Sequence, residues 1–264
     1  MELLFMGTGT SVGVPMIGCD CAVCHSADPR NRRRRSCLLV SVGDMRVVVD
    51  TPQDFREQAL EYNLRRLDAV LISHCHADHV FGFDDVRRFN TLQDNAVIPA
   101  YAVPPTIADM KRIFDYIATT PVKGLFRPLI DFREVTGPFD VAPIRGGGEP
   151  LHVIPLPVKH GTGAMTGFRL EAEGHAVGYI SDCLEIPPET MELLHGLDVM
   201  VLDALRYREH ATHLTVDASL ALLKRIGAKR SFMTHICHDI DHATLAAALP
   251  EGFAPAYDGL RVTL

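Results

Sequence analysis

Ser73-His74-Cys75-His76-Ala77-Asp78-His79 is the stretch on which the reading of this chain turns. It follows Ala69-Val70-Leu71-Ile72, a short apolar run rich in branched side chains, which predicts a buried strand delivering a polar cluster at its end. Three histidines and an aspartate fall within six residues. Imidazole nitrogen and carboxylate oxygen suit Zn(II), Mn(II) or Fe(II). Side chains alternate along an extended chain, so His74 and His76 can share one face, while Asp78 and His79, past a bend, can face a second metal. The competing reading is a solvated histidine-rich loop, and the further candidate ligands downstream weigh against it.

The 264 residues are 47% hydrophobic with no long polar tract, as expected of a globular chain that buries a core. No apolar run approaches the roughly 20 residues of a membrane span. Met1-Glu2-Leu3-Leu4-Phe5 reads as a first strand rather than a secretory signal. Seven cysteines are an odd number, and Cys19, Cys21 and Cys24 crowd together. That pattern favours metal binding in a reducing cytoplasm over a disulfide framework. A net charge of −7 speaks against polymeric nucleic acid as a partner. It leaves a small anionic substrate open, because bound dications would dominate the local field.

Along the chain, Leu3 to Met6 is expected as a strand, followed by the glycine-rich Gly7-Thr8-Gly9-Thr10-Ser11-Val12-Gly13-Val14-Pro15. Cys37 to Val42 and Met45 to Asp50 read as strands joined by Gly43-Asp44. Thr51-Pro52 reads as the start of a helix to about Asn63. Helices are expected over Gly82 to Leu92, Thr106 to Ile117 and Thr215 to Ile226, the last capped by Thr215. Thr119 to Gly148, rich in proline and glycine, is expected to contribute to the rim of a pocket. Strands ending in Lys159-His160, Ser181-Asp182, Leu202-Asp203 and Thr234-His235 follow. The run Arg30 to Arg35 is read as a solvated face, with guidance of a phosphate group as the alternative. Cys19, Cys21 and Cys24 form a partial zinc site that needs a fourth ligand. His238 is assigned that place, Cys237 competes for it, and His25 is set aside as a neighbour.

The H-x-H-x-D-H stretch resembles the signature of the metallo-β-lactamase superfamily of binuclear metallohydrolases. With G-T-G-x-x-x-G-V-P, C-x-C-x-x-C and the closing H-x-x-H, the chain is most similar to the PhnP-type cyclic phosphodiesterases. The resemblance implies one α/β domain over residues 1–264, a four-layer αββα sandwich with metals at the seam of its two sheets. It implies a first metal on His74, His76 and His160, a second on Asp78, His79 and His235, and Asp182 bridging them. Asp50 would orient the site, although a helix-capping role is also open to it. Cys183 stands where relatives often have threonine, and is read as a packing residue. The resemblance also implies a structural zinc on Cys19, Cys21, Cys24 and His238. His213 matches the histidine that protonates the leaving oxygen, with His210 as competitor; His213 and Asp78 are taken as the catalytic residues.

Two metals about 3.5–4 Å apart can make a bridging water nucleophilic near neutral pH. The expectation is therefore a metal-dependent phosphodiesterase acting on a small, cyclic, ribosyl or nucleotide phosphodiester, in a cytoplasmic protein that forms homodimers. Weighed against it are a thioester, lactone or lactam hydrolase, a protein like pyrroloquinoline quinone protein B, an RNase Z-like nuclease, and a metal-stabilised scaffold. The intact signature counts against the quinone-biosynthesis reading, and the lack of a long basic arm against the tRNA nuclease.

Overall fold

The computed structural model describes residues 1–118 and 127–264. Its strands are, in chain order, β1 (Glu2–Gly7), β2 (Cys37–Val42), β3 (Met45–Val49), β4 (Ala69–Leu71), β5 (Ile98–Ala102), β6 (Ile130–Glu134) and β7 (Phe139–Val141). There follow β8 (Leu151–His160), β9 (Gly163–Ala172), β10 (His175–Ile180), β11 (Val199–Asp203), β12 (Arg230–Thr234), β13 (Phe253–Pro255) and β14 (Arg261–Thr263). One sheet has the order β14-β1-β2-β3-β4-β5-β6 and the other β13-β12-β11-β10-β9-β8-β7. The first half of the chain thus builds one sheet and the second half the other, with β14 returning to the first.

The sequence pattern explains why the sheets stack. In β2 and β3, Leu38, Val40, Val42, Met45, Val47 and Val49 point one way, into a core shared with Val153, Phe168, Val177, Val199 and Val201 of the second sheet. The alternate residues Cys37, Leu39 and Val48 point the other way, onto helices. Strands apolar on both faces must be covered on both faces. The cover on the first sheet is α1 (Phe55–Glu61), α2 (Ala77–Val80), α3 (Arg87–Leu92), α4 (Pro104–Ile113) and α5 (Asp115–Ala118), through Phe55, Val80, Phe89, Met110 and Ile117. On the second sheet it is α6 (Pro188–Glu192), α7 (Val216–Ile226) and α8 (His242–Ala248), through Met191, Leu223 and Leu245. The result is the expected four-layer αββα sandwich. No helix among the described residues is long and apolar enough to cross a membrane.

Several expectations shift. The helix after β3 starts at Phe55, not at Thr51-Pro52. Residues 50–52 are held elsewhere: the Thr51 N–H donates to the His79 carbonyl (2.7 Å) and the Gly82 N–H to the Thr51 carbonyl (2.9 Å). Gly82 to Leu92 divides into a 3-10 turn, Phe83–Val86, and α3. Thr106 to Ile117 divides into α4 and α5, broken at Phe114. Thr215 does cap α7, its side chain accepting from the Ala218 N–H. The pocket-rim expectation for Thr119 to Gly148 falls in part on residues 119–126, outside the described residues.

The arginine run is a solvated face only at Arg30 and Arg32, which are exposed. Arg33 is buried and donates to Thr8 Oγ1 (2.8 Å), the Ala256 carbonyl (2.6 Å) and, across 3.1 Å, meets His242 Nδ1. Arg35 pairs with Asp54 at 2.9 Å, Arg30 with Asp28 at 2.7 Å, and Arg34 with Glu61. Arg33 thus binds the glycine-rich loop to the end of the chain, and the Arg35 Nε–H donates to the Ser11 carbonyl of that loop at 3.0 Å. That close packing is why Gly7 and Gly9 are glycines. A Cβ on Gly7 would sit 1.9 Å from the Arg35 carbonyl oxygen, and one on Gly9 would sit 2.9 Å from Arg33.

Candidate metal centre

The strand ends carry the chemistry. β3, β4 and β5 are mutually parallel, as are β10, β11 and β12. Asp50 follows β3, His74 follows β4, and Asp182, Asp203 and His235 lie at or just beyond the ends of β10, β11 and β12. His160 ends β8. Side chains distant in sequence therefore meet at one end of the sandwich.

They meet as two triads. Ligating atoms of His74, His76 and His160 lie within 4.8 Å of one another, and so do those of Asp78, His79 and His235. Asp182 stands between the triads: its Oδ2 is 3.2 Å from His79 Nε2, and its Oδ1 is 3.2 Å from His235 Nε2 and 4.0 Å from His160 Nε2. His76 faces solvent, whereas His74, His79, His160 and His235 are buried. This brings together all seven residues expected at the binuclear site.

The hydrogen bonding shows what these groups are prepared for. His79 Nδ1 is 2.7 Å from Asp50 Oδ2, His160 Nδ1 is 2.9 Å from the Thr212 carbonyl, and His74 Nδ1 is 3.0 Å from Ser73 Oγ. Asp50 also accepts from the Ser73 N–H (2.8 Å) and hydroxyl (2.7 Å). Asp50 thus orients His79 directly and His74 through the Ser73 hydroxyl, and caps no helix. The inward atoms His74 Nε2, His79 Nε2, His235 Nε2 and Asp182 Oδ2 are buried without a hydrogen-bond partner. Buried polar atoms are normally satisfied. His74 and His79 are each held through Nδ1 with Nε2 bare, as metal-ligating histidines are, while His235 has both nitrogens unpaired. Burial works against the Asp78 carboxylate, yet His235 and His79 beside it hold it well below the usual range. Burial pushes His74 toward the neutral, ligating form. The residues fit divalent metal ions.

His213 lies at the edge of this cluster. Its ring stacks on His235 (4.8 Å, 13°) and meets His160 edge-on (4.6 Å). His213 Nδ1 is 2.8 Å from Asp203 Oδ2 and 3.9 Å from Asp182 Oδ1. Asp203 Oδ2 also accepts from the Cys183 N–H at 2.8 Å. Full burial raises the Asp203 carboxyl above its ordinary range, against the pull of His213. His210 is turned to Thr212, whose N–H and hydroxyl lie 3.3 and 3.2 Å from its Nδ1, and stands 5.1 Å from the His213 ring. His213, not His210, touches the cluster. Asp203 escaped the sequence reading as a site residue because it closes an apolar strand; its strand-end carboxylate, matching Asp182 on the neighbouring strand, was the available signal.

The cysteine knot assembles as well. Cys19, Cys21, Cys24 and His238 form a four-residue group with ligating atoms within 4.8 Å. His238 Nδ1 is 3.2 Å from Cys19 Sγ and 3.5 Å from Cys21 Sγ. The Cys24 N–H donates to Cys21 Sγ and, with His238, brings that thiol down to about 6. A thiol lowered in this way favours metal binding, whereas burial raises the neighbouring Cys24 thiol to about 11. Cys237 is buried outside the group, its sulfur accepting from the Asp239 N–H. His25 is exposed beside Asp20.

A family model described as a β-lactamase superfamily domain matches residues 45–236. The chain belongs to the β-lactamase superfamily. Among solved structures, this superfamily member is similar to a diphosphatase of the PhnP family, with a TM-score of 0.87, 38% identity, and coverage of 100% of this chain and 97% of that one. Zinc-bound PqqB from Methylobacterium extorquens shares the fold, with a TM-score of 0.76 at 21% identity over the full length of both chains. An octanoyltransferase of Porphyromonas gingivalis is 33% identical over 269 residues, covering 100% of this chain and 52% of that protein. The superfamily domain therefore spans about half the length of that relative, whose name describes the whole.

Proposed function

We propose that this superfamily member is a binuclear metal-dependent phosphodiesterase acting on a small phosphodiester. The observation that carries the reading is the pairing of the two ligand triads, in which His74, His79 and His235 leave Nε2 bare, with His213, held by Asp203 beside them. Two divalent ions, Zn, Mn or Fe, would polarise the phosphoryl group and supply a nucleophilic water near neutral pH. His74, His76 and His160 would hold one ion and Asp78, His79 and His235 the other, with Asp182 between. Cys19, Cys21, Cys24 and His238 would hold a structural zinc. Asp203 fixes the His213 ring through Nδ1 and leaves Nε2 to give a proton to the departing oxygen. An alkoxide is a poor leaving group, so phosphodiester cleavage makes use of such an acid. The likeness to a PhnP-family diphosphatase supports phosphoryl chemistry, on a diester or a diphosphate. We further propose a cytoplasmic protein that works as a homodimer.

Acyl chemistry is the second reading, favoured by the octanoyltransferase relative. A thioester hydrolase would use the same metals and would not depend on His213. The separating experiment measures hydrolysis of bis(p-nitrophenyl) phosphate, an alkyl phosphodiester, a thioester and a lactone by Mn- or Zn-loaded protein, and repeats it with His213→Ala. Selective phosphodiester turnover, with the alkyl ester most affected by the substitution, is the expected result. Preferential thioester or lactone turnover indifferent to His213→Ala would remove the phosphodiesterase reading.

A further inference from the structure

The helical layer over the first sheet carries a groove that the metal chemistry does not use. A cavity of about 330 Å³ lies between α1 and α3, floored by the buried side chains of Phe55, Leu64 and Phe89. Leu60 of α1 and Leu92 of α3 stand at its rim, 60% and 37% exposed. Asn63, Leu64 and Arg65 also line a second cavity of about 390 Å³, which continues the groove past Leu4, Leu39 and Arg46. Arg65 and Arg66 precede β4 and His74 follows it, so this part of the groove lies at the opposite end of the strand from the metal ligands.

The groove is cationic on a chain that carries −7. Arg56, Arg65 and Arg88 line its first part, where Asp85 is the one carboxylate. Arg56 is held by its exposed neighbour Glu57. Arg65 and Arg88 donate to neutral oxygens, Asn63 Oδ1 at 2.7 Å and Thr91 Oγ1 at 2.9 Å, and no carboxylate pairs with either among the described residues. In the second part, Arg66 and Arg261 pair with Asp68 and Glu2 at 2.7 and 2.8 Å, while Arg46 spends Nη1 on the Gly43 and Met45 carbonyls. Two exposed, unneutralised guanidinium groups thus flank an apolar floor between two helices. A groove of this form takes the apolar face of an amphipathic helix. Guanidinium forks select carboxylates on the flanks of that helix. A bilayer would reach Leu60 and Leu92 but not the recessed rings of Phe55 and Phe89.

We propose that the groove between α1 and α3 docks an acidic amphipathic helix of a partner protein. Leucine-type side chains of that helix would seat over Phe55, Leu64 and Phe89, and glutamates or aspartates on its flanks would face Arg65 and Arg88. Docking there leaves the metal centre open, and the inference is independent of which ester the metals hydrolyse.

The test follows the fluorescence anisotropy of a labelled helical peptide of about 16 residues, with leucine at every third or fourth position and glutamate between, titrated with the metal-loaded full chain. Control peptides carry lysine for glutamate, or serine for leucine. The leucine–glutamate peptide is expected to bind roughly tenfold or more tighter than either control, and more weakly as salt rises. Arg65→Glu/Arg88→Glu should weaken its binding roughly tenfold or more and turn the preference toward the lysine peptide. Leu60→Gln/Leu92→Gln should weaken binding while the charge preference stays. All four residues are exposed, so both double variants should keep the parent's melting temperature. Arg88→Gln alone, with a roughly threefold loss, replaces the arginine pair if that variant is unstable. No binding up to about 1 mM, equal binding of the three peptides, or binding untouched by both double variants overturns the docking site. Retention on phosphatidylglycerol vesicles that the variants lose, without peptide binding, overturns it in favour of a membrane surface. A dimer in sedimentation that Leu60→Gln/Leu92→Gln dissociates overturns it in favour of a second copy of this chain.

Discussion

Asp203→Asn is the most informative single substitution. Asp203 is fully buried, and its Oδ2 receives both the His213 ring and the Cys183 N–H at 2.8 Å. Asparagine keeps an acceptor at that position, so the ring stays in place with its proton on Nδ1. The lost element is the negative charge that stabilises a cationic imidazole. A hydrogen bond to a charged group contributes about 1.5–3 kcal/mol and a neutral one about 0.5–1.5. The difference of about 1–2 kcal/mol is roughly a 5- to 30-fold fall in kcat. His213→Ala removes the proposed acid outright and is expected to cost about 10²–10⁴. Both losses should appear with an alkyl leaving group and nearly vanish with p-nitrophenolate, which departs without a proton. Stability should change by less than about 2 kcal/mol, because the new amide donor meets no partner while a buried charge disappears. The assay is steady-state kcat for the two esters with each single variant and the double variant. The double variant should be no slower than His213→Ala, since the aspartate acts only through that ring. Equal losses on both leaving groups, or additive losses in the double variant, would refute the positioning role.

Asp50→Asn, which leaves the His79 and Ser73 contacts in shape but uncharged, is expected to weaken active-site metal affinity about 10- to 100-fold, measured by competition with a chelator. Cys24→Ser should lower the metal content by one ion per chain by elemental analysis. It should also destabilise the fold by about 3–5 kcal/mol in urea melts, because the knot joins the start of the chain to its end. His242, beside Arg33, is brought down to about 4 by burial and by the arginines. The unfolded chain thus binds more protons between that value and the ordinary 6.5, so the stability tied to His242 is present above about 6.5 and is lost as pH falls toward 4. His242→Asn should therefore lose less stability than the parent on going from pH 7.5 to pH 5, by about 1–2 kcal/mol. An unchanged difference between the two urea midpoints at these pH values would contradict it.

The site was legible where chemistry and local pattern coincide. His74, His76, Asp78 and His79 announce themselves because a short strand and a tight turn place them with little help from the rest of the chain. His160, Asp182 and His235 needed only the expectation that polar residues at strand ends gather at one edge of a sandwich. Tertiary context hid the rest. Thr51-Pro52 carries a helix-start pattern, but Thr51 is bonded to His79 and Gly82, so the helix waits until Phe55. Arg33 sits in a run that composition describes as solvent-facing, yet its donors fill a buried gap between Thr8, Ala256 and His242. Asp203 looks like the end of an ordinary core strand until Cys183 and His213, both distant in sequence, converge on one oxygen.

Asp50, which holds His79, and His235 also carry backbone strain, which shows how the fold supports the site. Asp50 has φ +64° and His235 φ +58°, left-handed values that cost a residue with a side chain on the order of 1 kcal/mol. Such a conformation persists only where the surroundings fix it. Asp50 is fixed by its own carboxylate and by the Asp50 N–H, which donates to the Leu71 carbonyl at 2.9 Å. His235 is fixed from its C-terminal side. The Ile236 N–H donates to the Thr8 carbonyl, and the Cys237 N–H to the Leu205 carbonyl, both at 3.0 Å. His238 then enters the knot with Cys19, Cys21 and Cys24. Three consecutive residues after His235 are therefore tied to the glycine-rich loop, the 205–210 loop and the knot in turn. This assigns the knot a second role besides joining the ends of the chain: it holds the turn that aims His235 at Asp182. A zinc-depleted knot should accordingly disturb the second triad before the first, because His74, His76 and His160 share none of these ties.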